Sequence, residues 1–202
     1  MITLGGDFVI LTADPEDTPC DLYNSFIMNL TNVESAPNSV TTICFTSREG
    51  SFLNRTAELL SSAAAVFFTG GDQGKYYSFF KDSPVALLLP SVPLVGGSSA
   101  GLAVQGRLLF DALQGSVSSE DALKYPLDHD ISLANDLFNL RNMNGVITDT
   151  HFYQRDRMGR LITFLARFTA DLPSHPGSDQ VRTYVEIETT PLKAELAQDS
   201  RL

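Results

Sequence analysis

Short apolar runs closed by turn residues alternate along this chain with stretches whose apolar residues recur every three to four positions. The first pattern predicts strands and the second predicts helices. Asp7–Thr12 (DFVILT) reads as a strand, followed by a helix near Leu22–Leu30 and a strand at Val40–Phe45 (VTTICF). A helix near Leu53–Ala63 leads into the strand Ala65–Phe68 (AVFF). Further strands are expected at Val92–Val95, Arg107–Phe110 and Gly145–Thr148, with a last one at Val181–Glu188. After His151, the residues Met158, Leu161, Ile162, Leu165 and Phe168 trace the apolar stripe of one helix. Gly159 within it costs about 1 kcal/mol relative to alanine, which points to a close packing or functional contact. This alternation predicts an α/β domain of three layers, a mostly parallel sheet flanked by helices.

In open α/β sheets, ligands bind beyond the carboxyl ends of the strands. Three strand endings carry chemistry: Thr69-Gly70-Gly71-Asp72-Gln73, Gly97-Ser98-Ser99-Ala100-Gly101 and Asp149-Thr150-His151. The second reads as strand, sharp turn, helix, the shape a nucleophile elbow needs to project its serine. Gly97 and Gly101 flank Ser99 in Gly-x-Ser-x-Gly spacing, whereas Ser98 has Gly96 before it but Ala100 after, a poorer fit. A Gly/Ser-rich loop without chemistry has the same composition. A serine nucleophile needs a base, and His151, at the end of an apolar strand, falls on the same sheet edge as Ser99. His129 and His175 lie in polar or Pro/Gly-containing stretches and read as loop residues. The glycine pair Gly70-Gly71 suits an oxyanion hole formed by the N–H groups of Gly71 and Ala100, although an ordinary turn accounts for it equally well.

Composition narrows the picture. The 202 residues fit one domain, 1–202, with a real core. A formal charge of −10 and the absence of any basic tract argue against nucleic acid as a partner. No apolar stretch approaches the ~18 residues of a membrane span, and the N-terminus lacks a basic signal-peptide head, so a cytoplasmic protein with no membrane partner is expected. Cys20 and Cys44 have no metal-ligand spacing and read as buried reduced thiols, and three histidines are too few for a histidine-rich metal site.

Taken together, Phe68-Thr69-Gly70-Gly71-Asp72-Gln73, then Gly96-Gly97-Ser98-Ser99-Ala100-Gly101, then Asp149-Thr150-His151-Phe152 with Arg155, Arg157, Gly159, Arg160 and Leu161, resemble the cyanophycinase-like serine peptidases. The resemblance covers roughly residues 7–170. It implies the class I glutamine amidotransferase-like, flavodoxin-like fold and an acyl-enzyme on Ser99, with His151 as base. It also implies substrate contacts from Gln73, Asp149, Arg157 and Arg160, with the arginine forks suited to a substrate carboxylate; a solvated helix face is the plainer account of the arginines. The family places an acid between nucleophile and histidine, after a strand. Here Ser118–Leu123 offers Asp121, with Glu120 beside it, and helix capping explains the same residues. The implied substrate is a small or branched aspartyl peptide such as β-Asp-Arg, with no metal or organic cofactor. Against the family the chain reads as trimmed at both ends, which would expose sheet edges that a homodimer could cover. An inactive peptide-binding relative, or an esterase or amidase of the same fold, stands as the alternative.

Overall fold

Parallel pairing dominates the structure, a computed structural model that describes residues 6–13, 20, 24, 27, 37–171 and 182–185. Strands β1 (Asp7–Thr12), β2 (Ser39–Cys44), β3 (Ala63–Phe68) and β4 (Leu94–Gly97) form one sheet in the order β2-β1-β3-β4, parallel throughout. Strands β5 (Leu108–Phe110), β6 (Leu133–Asn135), β7 (Val146–Asp149) and β8 (Arg182–Val185) form a second in the order β6-β5-β7-β8, where only β5–β6 is antiparallel. The fold is α/β with mostly parallel strands flanked by helices, as expected, and among the described residues the strands pair as two sheets. The strand after the elbow, β5, pairs with β6 and β7 rather than with β4. The helix expected near Leu22–Leu30 lies outside the described residues apart from Asn24 and Ile27, as does His175.

Helices α1 (Asn54–Ser62), α2 (Gln73–Phe80), α3 (Pro84–Leu88), α4 (Ala100–Ala103), α5 (Ser119–Lys124) and α6 (Met158–Asp171) connect the strands. Neither α2, α3 nor β6 was expected. The aromatic-rich α2 has poor intrinsic propensity, and its start is set by Asp72, whose carboxylate accepts the N–H groups of Gly74 (2.7 Å) and Lys75 (3.2 Å). Ser83 caps α3 with Pro84 in its first turn, a start signal legible in the sequence.

Two apolar clusters support the sheets. Phe45, Phe68, Tyr76, Phe80 and Phe138 are all buried in the first, and Phe68 meets Tyr76, Phe80 and Phe138 at ring-centroid distances of 5.8, 6.1 and 5.3 Å. The second gathers Leu108, Phe110, Ile147, Leu161, Phe164 and Phe168. Strand alternation lets β5 serve both, with Leu109 in the first cluster and Leu108 and Phe110 in the second. The buried stripe of α6 departs from the one expected: Met158 and Ile162 are exposed, and Arg160, Leu161, Phe164 and Phe168 face inward, with Arg157 buried just ahead of the helix. Two buried arginines occupy positions that an apolar pattern cannot report. The close contact expected at Gly159 is present, because a Cβ there would lie 2.8 Å from both Leu123 Cδ1 and Ser119 Cβ on α5.

The cysteines are also corrected. Cys20 and Cys44 form a disulfide with Cα atoms 5.9 Å apart, and among the described residues no free cysteine remains. Parallel pairing of β1 and β2 sets Cys44 opposite Thr12, the last residue of β1. Such bridges persist mainly in oxidising surroundings, which weighs against the cytoplasmic expectation. Among the described residues no helix is long and apolar enough to cross a membrane. Closing a loop across 24 residues of sequence is worth about 3 kcal/mol through the unfolded chain. Reduction with dithiothreitol is therefore expected to lower the urea-unfolding free energy by about that amount; unchanged unfolding would contradict the bridge.

Candidate active site

Ser99 stands at the joint between β4 and α4 with φ 50° and ψ −124°. A non-glycine residue takes that conformation only where its surroundings over-determine it. Ser98 extends the β3–β4 pairing by donating its N–H to Phe68 O (3.0 Å), and Gly101 N–H returns to Ser98 O (2.9 Å). Ser99 O accepts from the N–H groups of Leu102 (3.1 Å) and Ala103 (2.9 Å), which opens the helix directly beneath the turn. Of the two serines, Ser99 is the one at the apex.

The flanking glycines are steric requirements. A Cβ on Gly97 would come within 2.6 Å of Gln105 Nε2 and 2.7 Å of the Gly101 backbone. At Gly101 it would sit 2.5 Å from Phe68 O and closer still to Thr69 O, so the end of β3 leaves room for hydrogen only.

Across the joint between the sheets, His151 follows β7 and places Nε2 2.6 Å from Ser99 Oγ. His151 is itself left-handed, with φ 50°. Thr148, on β7, holds the two parts together: its hydroxyl donates to Ala103 O (3.0 Å) and accepts the N–H of Gly106 (3.2 Å). Gly106 must be bare for this, because a Cβ would meet Leu108 O at 2.7 Å and Val146 O at 2.8 Å.

The glycine loop after β3 faces the serine. A Cβ on Gly70 would lie 3.3 Å from Ser99 Cβ and 3.7 Å from Oγ, and Gly71 takes φ 123°, open to glycine. The Ala100 N–H begins α4, beyond reach of any intrahelical carbonyl. Beneath the loop, the buried Tyr76 hydroxyl lies 3.0 Å from Thr69 O, 3.1 Å from Thr69 Oγ1 and 3.1 Å from Leu11 O, tying the loop to β1. Sequence reasoning did not find Tyr76, whose signal is its place one helical turn after Asp72. Gln73 directs its amide inward, donating to Phe110 O at 2.7 Å.

The other expected residues fall differently. Arg157 and Arg160, 7% and 1% exposed, form neither a solvated face nor open forks. Arg160 engages both carboxylate oxygens of Asp149, through Nε at 2.9 Å and through Nη2. Arg157 Nη1 lies 3.5 Å from Asp149 Oδ1 and donates to Thr150 O at 2.7 Å. Buried Asp149 requires such compensation, and supplying it occupies the guanidinium groups.

Glu120 and Asp121 are exposed in the first turn of α5. Ser118 caps that helix by accepting the Asp121 N–H at 3.0 Å and donates to Asp121 Oδ2 at 2.6 Å, so the capping alternative is the one realised. The acid that directly follows β5 is Asp111, which was not singled out. Its buried carboxylate accepts from Leu113 N–H (2.9 Å) and Ser132 Oγ (3.0 Å) and supports a turn in which Ala112 has φ 56°. Burial, followed by the charges of Asp111 and Asp82, holds the Tyr77 phenol above the usual tyrosine range.

With this geometry in place, comparison identifies the relatives. A cyanophycinase of Trichormus variabilis is 34% identical over 112 residues, which cover 53% of this chain and 34% of that protein. A cyanophycinase of Geminocystis herdmanii is 32% identical over 115 residues, covering 54% and 38%. Over about half of its length the chain is similar to cyanophycinases. The match spans little more than a third of the length of these curated relatives. No protein-family model matches the chain. A crystal structure of a peptidase from an acI-B1 Actinobacterium superposes with a TM-score of 0.52 at 15% identity, covering 79% of this chain and 62% of that one. At such identity the likeness speaks for the fold alone.

Gly101→Ala tests the elbow. Its Cβ would press on backbone carbonyls that cannot swing aside, so a loss of about 1–3 kcal/mol is expected in urea unfolding. Wild-type stability would mean the turn is looser than described.

Proposed function

We propose that this chain is a serine-type peptidase that hydrolyses small or branched aspartyl peptides, β-Asp-Arg among them, through an acyl-enzyme on Ser99. The observation that carries the reading is the 2.6 Å contact between Ser99 Oγ and His151 Nε2 at a strained elbow. Kinship with cyanophycinases supplies the substrate class.

In this mechanism His151 Nε2 takes the Ser99 hydroxyl proton as Oγ attacks the peptide carbonyl. The N–H groups of Gly71 and Ala100 stabilise the oxyanion. The imidazolium returns its proton to the departing amine as the C–N bond breaks. His151 then accepts a proton from water, which attacks the ester carbonyl, and the proton passes to Ser99 Oγ as the carboxylic acid leaves.

A second reading, a less selective esterase or amidase, draws on the arginines. With Arg157 and Arg160 engaged by Asp149, recognition of a substrate carboxylate falls to other groups.

Mass-spectrometric cleavage assays on α- and β-aspartyl peptides, beside short-chain esters, separate the readings. Peptide cleavage is expected, with Ser99→Ala reducing it by about 10⁴–10⁶-fold. Turnover of esters alone favours the second reading, and equal activity in wild type and variant would overturn both.

A further inference from the structure

The Asp149–Arg160–Arg157 cluster lies directly behind His151, and its contacts converge on the turn that carries the histidine. Asp149 Oδ1 accepts the Thr150 N–H at 2.8 Å, while Arg157 holds Thr150 O at 2.7 Å, so both backbone polar groups of the residue before His151 are gripped. Arg155 N–H closes the turn on His151 O at 3.1 Å, and Arg157 N–H donates to Phe152 O at 2.9 Å. That turn contains His151 at φ 50° and Asp156 at φ 47°, both left-handed. Such a backbone keeps its shape only when its neighbours impose it.

Arg160 is fixed in turn. Its guanidinium lies 5.4 Å from the Phe110 ring centroid and 5.7 Å from that of Phe164, and those two rings stack at 4.9 Å. The Arg160 backbone N–H donates to Ser119 Oγ at 3.1 Å, and the same hydroxyl donates to Asp156 O at the end of the turn. A cation packed against two stacked aromatic rings and bidentate on a carboxylate has little freedom.

We propose that Asp149, Arg157 and Arg160 are positioning residues, a buried ionic clamp that holds the His151 turn in the geometry that meets Ser99, rather than a receptor for substrate. The inference rests on Ser99 and His151 acting as nucleophile and base. It assigns the arginines a role in kcat, independent of any carboxylate on the substrate. Loosening the turn displaces Nε2 from Ser99, and a misplacement near 1 Å costs about 100-fold.

The test uses a fluorophosphonate, which phosphonylates an activated serine, releases fluoride and carries no carboxylate. Wild type is compared with Arg160→Lys, whose single ammonium head cannot span both Asp149 oxygens, and with Arg157→Gln, which keeps a donor for Thr150 O but loses the charge. Thermal melts and circular dichroism establish that each variant is folded, and adducts are mapped to Ser99 by peptide mass. The clamp predicts a fall of about 10–100-fold in the inactivation rate constant for Arg160→Lys, with the inhibitor's binding constant nearly unchanged. Arg157→Gln should fall in the same sense, and it decides the matter if Arg160→Lys does not fold. A merely stabilising role would lower the melting temperature and leave the rate constant of the folded protein at the wild-type value, overturning the proposal. So would variants that label normally but lose affinity only for carboxylate-bearing peptides, the signature of a substrate fork. Wild type that fails to label at Ser99 would instead overturn the serine-hydrolase reading on which the clamp depends.

Discussion

The contact between Ser99 Oγ and His151 Nε2 joins two four-stranded sheets that, among the described residues, share no strand pairing, so everything else must hold the two in register. Both residues pay in backbone strain, each at φ 50°. Each strain is met by its own packing. On the serine side, hydrogen at Gly97 and Gly101 lets α4 pack against the end of β3. On the histidine side, Asp149 and Arg157 grip the preceding residue, and Arg160 holds Asp149. Between them, Thr148 and the bare Gly106 lock β7 to the segment that leaves α4.

The two apolar clusters translate this local demand into the fold. Phe68 is the last residue of β3, and the aromatic rings around it anchor the root of the Gly70-Gly71 loop. Phe110 is the last residue of β5; it stacks on Phe164 beneath Arg160 and offers its carbonyl to Gln73. Each core therefore ends at a strand terminus that serves the site. Placing reactive groups at the carboxyl ends of parallel strands lets rigid elements fix loop residues.

Much of this was legible in the sequence, for identifiable reasons. Asp7–Thr12 and Ala65–Phe68 read as strands because central parallel strands are apolar on both faces. The elbow read as such because steric demand at a tight turn leaves glycine as its trace. Burial of Arg160 on α6 and of Arg157 just before it departs from the solvated-face reading, because a pattern of apolar positions cannot distinguish a buried, paired guanidinium from a solvated one. Glu120 and Asp121 were ambiguous because first-turn acids follow from the helix N-terminus whether or not chemistry needs them. The disulfide was invisible because a separation of 24 residues carries no pairing signal by itself. Asp128, His129 and Asp130 make the reverse point. Their ligand atoms lie within 4.8 Å of one another, yet each imidazole nitrogen faces a different carboxylate, 3.1 Å from Asp128 and 3.0 Å from Asp130.

The central claim is that Ser99 becomes covalently acylated with His151 as its base. The most direct measurement is acid quenching during turnover of an activated N-acyl-aspartyl ester, followed by intact-mass analysis and peptide mapping. The account predicts an acyl adduct on the peptide bearing Ser99 in wild type, formed at least about 10³-fold more slowly in His151→Ala. Turnover with Ser99 unmodified and the adduct on another residue, or acylation indifferent to His151, would contradict it.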